Sequence, residues 1–404
     1  MKDPNANPYS PGAGHSPPYL AGREAEIEHF RQYLKQQEIL KNVILTGLRG
    51  TGKTVLMDDK YKPVAQGDGW IWVGSDFAES SFLSEGNLCV RLLTDLSVFT
   101  SGLSITSSDG TLGFDRLGKR SQSLSFDHLI THFEAQPGLI VDKLKSTLEF
   151  VWGAVKDRGT KGIIFAYDEA QVVRDREEKD QYPLAVLLET FQSLQRKGVR
   201  YLLLLTGLPT LFPKLVESRT YAERMFAVQE IGRLAPEASR EAIEVPLQNG
   251  PWKFTSEGVQ RIIEVSDGYP YFIQFICRET FDHLFANPGD RRIPMDSIMR
   301  KLDSDFFAGR WEGVTDRQRD LLFCIAHLEN ADEEFTISEI VEVSRDLEVK
   351  SFAPGDVSQI LPRLIDKGLV YKNRFGKYCF AVPLFSGFIK RQFSRNDAQK
   401  RLFD

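Results

Sequence analysis

Residues Gly47-Leu48-Arg49-Gly50-Thr51-Gly52-Lys53-Thr54 combine glycines, a lysine and a hydroxyl at the spacing of a phosphate-binding loop. The apolar run Val43-Ile44-Leu45-Thr46 precedes them and reads as a buried strand, and Val55-Leu56-Met57 opens a helix behind them. In that order the glycines let consecutive backbone N–H groups turn toward phosphate oxygens. The helix N-terminus adds positive potential at the same place. Lys53 would reach the β- and γ-phosphates, and the Thr54 hydroxyl would ligate Mg²⁺. The chemistry implied is binding of a nucleoside triphosphate with its magnesium ion.

A second group lies far along the chain. Gly162-Ile163-Ile164-Phe165-Ala166-Tyr167 is an apolar run that ends in Asp168-Glu169. Asp168 would hold Mg²⁺ opposite Thr54, and Glu169 would polarise the attacking water as general base. Two acids at this point indicate hydrolysis and not only storage of a nucleotide. Tyr201–Leu205 is another wholly apolar strand, and Thr206 at its end could contact the γ-phosphate or the lytic water. Arg219, Arg224 and Arg233 follow, any of which could supply a guanidinium to the transition state of a neighbouring subunit.

These groups need a scaffold that gathers strand ends. Continuously apolar strands separated by helices predict a parallel sheet covered on both faces, an α/β fold with ligands beyond the carboxyl ends of its strands. Further strand and helix patterns lie at Trp70–Val73, Ser84–Phe99, Leu139–Val155 and Pro183–Gln195. Residues 1–18, rich in Pro, Gly and Asn, read as a flexible arm without a core of its own, and 101–125, dense in Ser, Gly and Thr, as a mobile surface loop. From about Leu234 the pattern is helical, with segments at Glu237–Val245, Thr255–Val265, Tyr271–Phe285 and Met295–Phe307. Beyond Trp311, helices at Thr315–Leu328, from Thr336, and at Asp356–Lys367 precede a hairpin around Asn373–Gly376. Three helices and a hairpin describe a winged helix-turn-helix. The expected boundaries are 19–234 for the phosphate-loop domain, 235–310 for a helical lid, 311–395 for the winged helix and 396–404 for a tail.

The chain has 404 residues and a net charge of −5, so nucleic-acid binding would need a local basic patch. Such a patch is available. Residues 311–360 carry 4 Lys/Arg against 12 Asp/Glu, whereas 361–404 carry 10 against 3. Arg363, Lys367, Lys372, Arg374 and Lys377 fall where a winged helix meets phosphates, and Ser358 and Gln359 where it meets base edges. Protein contact through the same module is the competing reading. The four cysteines are scattered without a paired motif, no apolar run reaches membrane-spanning length, and a cytoplasmic location is expected. His128 and His132 share a helical spacing but have no evident third ligand, and Phe272, Phe275 and Phe281 read as helix core.

Together Gly22-Arg23-Glu24, the phosphate loop, Asp168-Glu169, Thr206, the helical segment and the C-terminal module resemble the AAA+ ATPases over about 17–395. The likeness is to the origin-recognition and replication-initiator clade and to the related archaeal-type and STAND ATPases. It implies that Leu20, Gly22 and Arg23 lie near the adenine, and that the loop through Val55 holds the phosphates. It further implies that Asp168 and Glu169 form the Walker B pair, that Thr206 is sensor 1 and that Arg224 is the arginine finger. Initiators carry a lid arginine in a Gly-Asp-Ala-Arg segment. This chain has Gly268-Tyr269-Pro270-Tyr271 instead. That segment is similar to the STAND type, whose proline, here Pro270, packs on the base. Two functions stay open: an ATP- and Mg²⁺-dependent, oligomeric DNA-binding ATPase, and a nucleotide-dependent signalling or scaffold switch with no DNA role.

Overall fold

The computed structural model describes residues 6–12, 15–36, 40–77, 83–107, 120–250, 252–290, 292–373 and 376–393. It divides into two compact units. One comprises Glu24–Thr46 and Leu56–Glu230, the other Met1–Arg23, Gly47–Val55 and Ile231–Asp404.

The first unit is built on a five-stranded parallel sheet. Its strands are β1 (Asn42–Thr46), β2 (Trp70–Val73), β5 (Gly162–Tyr167), β6 (Tyr201–Gly207) and β7 (Phe226–Glu230). They lie in the order β2-β5-β6-β1-β7. The three inner strands are buried at every residue, which is why their sequences are predominantly apolar. On one face Ile44, Phe165, Tyr167, Tyr201, Leu203 and Leu205 share a core with helices Glu85–Thr100, Ile140–Val155 and Pro183–Arg196. Elsewhere Phe30 of helix Glu24–Leu34 stacks on Tyr61 at 4.1 Å. The Tyr61 hydroxyl lies within hydrogen-bond distance of two acceptors, the Glu26 carbonyl at 2.9 Å and Gln229 Oε1 of β7 at 2.5 Å.

Edge strand β7 is one of the elements that sequence patterning misses. Phe226-Ala227-Val228-Gln229-Glu230 is buried only at Phe226 and Gln229, so it shows neither a continuous apolar run nor clean alternation. The segment read as a mobile loop also contains structure. β3 (Ser104–Ser107) and β4 (Arg120–Ser123) pair antiparallel, and 108–119 lie outside the described residues. Ser-Ile-Thr-Ser and Arg-Ser-Gln-Ser carry no apolar period, so the pairing leaves no hydrophobic signature.

The second unit is helical. Pro236–Glu244, Ser256–Ser266, Pro270–Ala286 and Met295–Leu302 come first. The long helix expected at 295–307 passes through a π-helical stretch, Asp303–Phe307, into Ala308–Glu312. Then come Asp316–Ala326, Ile337–Val343 and Pro354–Asp366, followed by the antiparallel pair β8 (Val370–Lys372) and β9 (Tyr378–Phe380). Thr336 and Glu339 cap each other's backbone at the start of Ile337–Val343. One apolar cluster runs from Ile243 and Phe272 through Phe307 to Leu361, Phe385 and Phe388. The Asp303 carboxylate, 3% exposed, pairs with the Arg391 guanidinium across this core at 2.5 Å. Among the described residues no helix is long and apolar enough to cross a membrane.

The N-terminal arm has no core of its own and borrows this one. Tyr9 is buried, faces Phe254 at 6.2 Å and donates its hydroxyl to the Ile243 carbonyl. Asn7 Nδ2 donates to the Arg278 carbonyl at 2.9 Å and to Asp282 at 2.8 Å. Burial and the neighbouring Cys277 push the Tyr9 phenol far above its usual range. Replacing a buried aromatic by alanine typically costs about 3–5 kcal/mol. Tyr9→Ala should therefore lower the denaturation midpoint of the helical unit markedly. Alanine at exposed His15 should change stability by less than about 0.5 kcal/mol, so equal midpoints for the two variants would refute the docking of the arm.

Candidate functional site

The phosphate loop starts at the residue after Thr46, the last of β1. Gly50 and Gly52 adopt φ of +80° and +89°, the left-handed region that side chains disfavour. A Cβ on Gly50 would also stand 2.9 Å from that of Tyr271, whose backbone N–H donates to the Gly50 carbonyl at 3.2 Å. Thr51, buried, donates its hydroxyl to the Leu48 carbonyl at 2.9 Å. Lys53, 7% exposed, opens helix Lys53–Leu56 and turns its ammonium back onto the Gly47 and Leu48 carbonyls at 3.0 and 2.9 Å. Thr54 and Val55 follow it, half-buried.

Arg23 braces this loop. Its buried guanidinium donates to the Thr51 carbonyl at 3.2 Å and to the Gly232 carbonyl at 2.6 Å. Leu20 and Gly22 lead into it, with Gly22 lying over Ala238 of helix Pro236–Glu244. Pro270 is the first residue of helix Pro270–Ala286, where its missing N–H leaves no bond unmade. Arg310, which sequence reading passed over, lies half-buried with its guanidinium 4.4 Å from the Phe306 ring. Burial, and then the nearby cation Arg49 of the loop, lower its pKa. Clustered cations of this kind are receptive to an anion.

At the strand ends of the sheet the acidic pair is held from both sides. Asp168 exchanges backbone hydrogen bonds with the segment after β2, its N–H donating to Ser75 at 3.0 Å and its carbonyl accepting from Phe77 at 3.1 Å. Phe77 stacks on Tyr167 at 4.3 Å below it. The Asp168 carboxylate accepts from the Thr206 hydroxyl and from the Glu169 N–H, the latter at 2.7 Å. Thr206 pairs with Leu45 in the register of β6 and β1. Asp168, Thr206 and the last residue of β1 thus share one edge of the sheet, the edge at which parallel α/β sheets bind ligands. Glu169 adopts φ of +52°, uncommon for any residue with a side chain. Gln171 donates its amide to the Glu169 carboxylate. No sequence signal marks Gln171, because its role depends on where β6 ends.

A family described as Domain of unknown function (DUF8462) matches residues 304–389. No curated protein matches the chain. Among solved structures, a Walker-type ATPase of Pyrococcus abyssi is 17% identical, with a TM-score of 0.57 over 92% of this chain and 96% of its own. The ORC2 protein of Aeropyrum pernix is 15% identical. Its ADP form covers 94% of this chain and 97% of its own at a TM-score of 0.54, and its ADPNP-ADP complexes cover 95% and 98% at 0.53. The chain shares the P-loop AAA+ α/β fold of these structures.

Within the AAA+ fold the candidate arginines differ in setting. Arg233 is held bidentate by Asp267 at 2.7 and 2.8 Å and lies 5.8 Å from the Tyr269 ring. Arg219 donates to the Ser218 carbonyl at 2.9 Å. Arg224 is exposed on the short helix Ala222–Met225, immediately ahead of β7. Of the C-terminal candidates, Ser358, Gln359, Arg363 and Lys367 lie exposed on or just after helix Pro354–Asp366, which buries Val357, Leu361 and Leu364. Lys367 donates to the Gly313 carbonyl, and Lys377 pairs with Glu334 at 3.3 Å. Lys372 reaches over the Tyr378 ring at 5.8 Å. Arg374 lies outside the described residues. His132 stacks on Phe150 at 4.4 Å with His128 beside it, and the described residues contain no group of three or more side chains suited to a metal ion.

Proposed function

We propose that this protein binds ATP with Mg²⁺, hydrolyses it, and couples its nucleotide state to oligomerisation and to DNA binding through a C-terminal winged helix. The observation that carries the reading is the complete loop Gly47–Thr54, with its left-handed glycines and buried Lys53, in a chain of AAA+ fold. In this reading the Lys53 ammonium exchanges the Gly47 and Leu48 carbonyls for β- and γ-phosphate oxygens. Glu169 orients and deprotonates the attacking water, and Thr206 fixes Asp168. Arg224 is the finger offered to a neighbouring subunit, while Leu20, Gly22, Arg23 and Pro270 frame the base. In the same reading Thr54 and Asp168 would each offer an oxygen donor to Mg²⁺, which when bound would neutralise the charge that develops on the phosphates.

The DNA part is supported by the exposed face of helix Pro354–Asp366 and by the basic residues at the hairpin. Fluorescence anisotropy with a duplex tests it. Binding should weaken with salt, with a log–log slope of about −0.9 per phosphate contacted, and Arg363→Ala with Lys372→Ala should lower that slope. A flat response with and without ATP would remove DNA from the account. The second reading, a signalling or scaffold switch, is favoured by Lys367 and Lys377 already being engaged within the module. It predicts a nucleotide-dependent change in molar mass with no DNA binding.

A further inference from the structure

We infer that Gln171 is a positioning residue for Glu169, fixing the carboxylate that activates water and tying it to the strand end that carries Thr206. This rests on the ATPase reading above. Gln171 is 6% exposed, on the 3-10 turn Ala170–Val172 that directly follows Glu169. Its Oε1 accepts from the Leu208 N–H at 3.1 Å, and its Nε2 donates to Glu169 Oε2. The two bonds fix the sense of the amide. The Leu208 N–H can only donate and the ionised Glu169 carboxylate can only accept, so the oxygen must face β6 and the NH₂ must face Glu169.

The geometry around this bridge is specific. A Cβ on Gly207 would lie 2.5 Å from Gln171 Oε1, so a side chain there would displace the amide. Glu169 has left-handed backbone, which sends its side chain in a direction a regular turn would not. A glutamate side chain has three rotatable bonds, and a base must stand within hydrogen-bond reach of its water. The amide removes that freedom. It also makes the link mechanical: Thr206 holds Asp168 and Leu208 holds Gln171, so a shift of 206–208 moves both acids together. A nucleotide sensed at Thr206 is in this way reported to the base.

Gln171→Met, Gln171→Glu, Glu169→Gln and the double variant Glu169→Gln/Gln171→Met separate the possibilities. Gln171→Glu keeps the acceptor for Leu208 but faces Glu169 with a second carboxylate. If the side chain only supported the turn, this variant would keep wild-type turnover. We expect both Gln171 variants to lower kcat by about 10-fold or more with KM for ATP within about 3-fold, and Gln171→Met to change turnover less than about 2-fold once Glu169→Gln is present. Wild-type turnover in Gln171→Glu, or independent losses in the double variant, would overturn the inference while leaving the ATPase reading intact. Wild-type turnover in Glu169→Gln would overturn that reading itself, and the inference with it.

Discussion

Lys53→Ala should abolish useful ATP binding. The ammonium is 7% exposed and sits at the mouth of the loop, 3.0 and 2.9 Å from two carbonyls of its own turn. Those carbonyls hold the cation where phosphate oxygens would outcompete them, because an ionised acceptor makes the stronger bond. Hydrogen bonds to charged groups contribute roughly 1.5–3 kcal/mol each, so losing two of them weakens binding by about 100-fold or more. Titration calorimetry with a slowly hydrolysed ATP analogue measures this directly. Affinity within about 3-fold of wild type would mean that Lys53 is structural. Because Arg23 and Tyr271 also hold the loop through its backbone, its conformation should survive the substitution, and unchanged thermal unfolding would confirm it.

Glu169→Gln should dissociate binding from chemistry. The substitution keeps size and hydrogen-bonding reach but removes the negative charge that draws a proton from water. General-base catalysis is worth about 100- to 10,000-fold, and a loss in that range is expected at saturating ATP, with ATP affinity retained. Asp168 should behave differently. Its carboxylate anchors Thr206 and the Glu169 N–H, so Asp168→Asn should impair binding and turnover together.

Much of the site was legible because each part is local. The loop is contiguous, and the acids end a strand whose apolar run is itself visible, so each can be read from its own segment. The inner strands could be read for the same reason: burial on both faces leaves β1, β5 and β6 mostly apolar, with Asn42, Thr46 and Thr206 at the ends of β1 and near the end of β6. What could not be read depends on distant partners. Gln171 acquires meaning only from Leu208, and Tyr9 only from Ile243 and Phe254. β7 is an edge strand with two buried residues, too weak a pattern to declare itself. The C-terminal basic residues illustrate a further limit. Charge counting shows that 361–404 is positive, but not that Lys377 already faces Glu334.

The most direct test measures nucleotide binding and ATP turnover side by side on wild type, Lys53→Ala and Glu169→Gln. Wild type should bind and hydrolyse, Lys53→Ala should do neither, and Glu169→Gln should bind without hydrolysing. Turnover at the wild-type rate in Glu169→Gln would contradict this expectation.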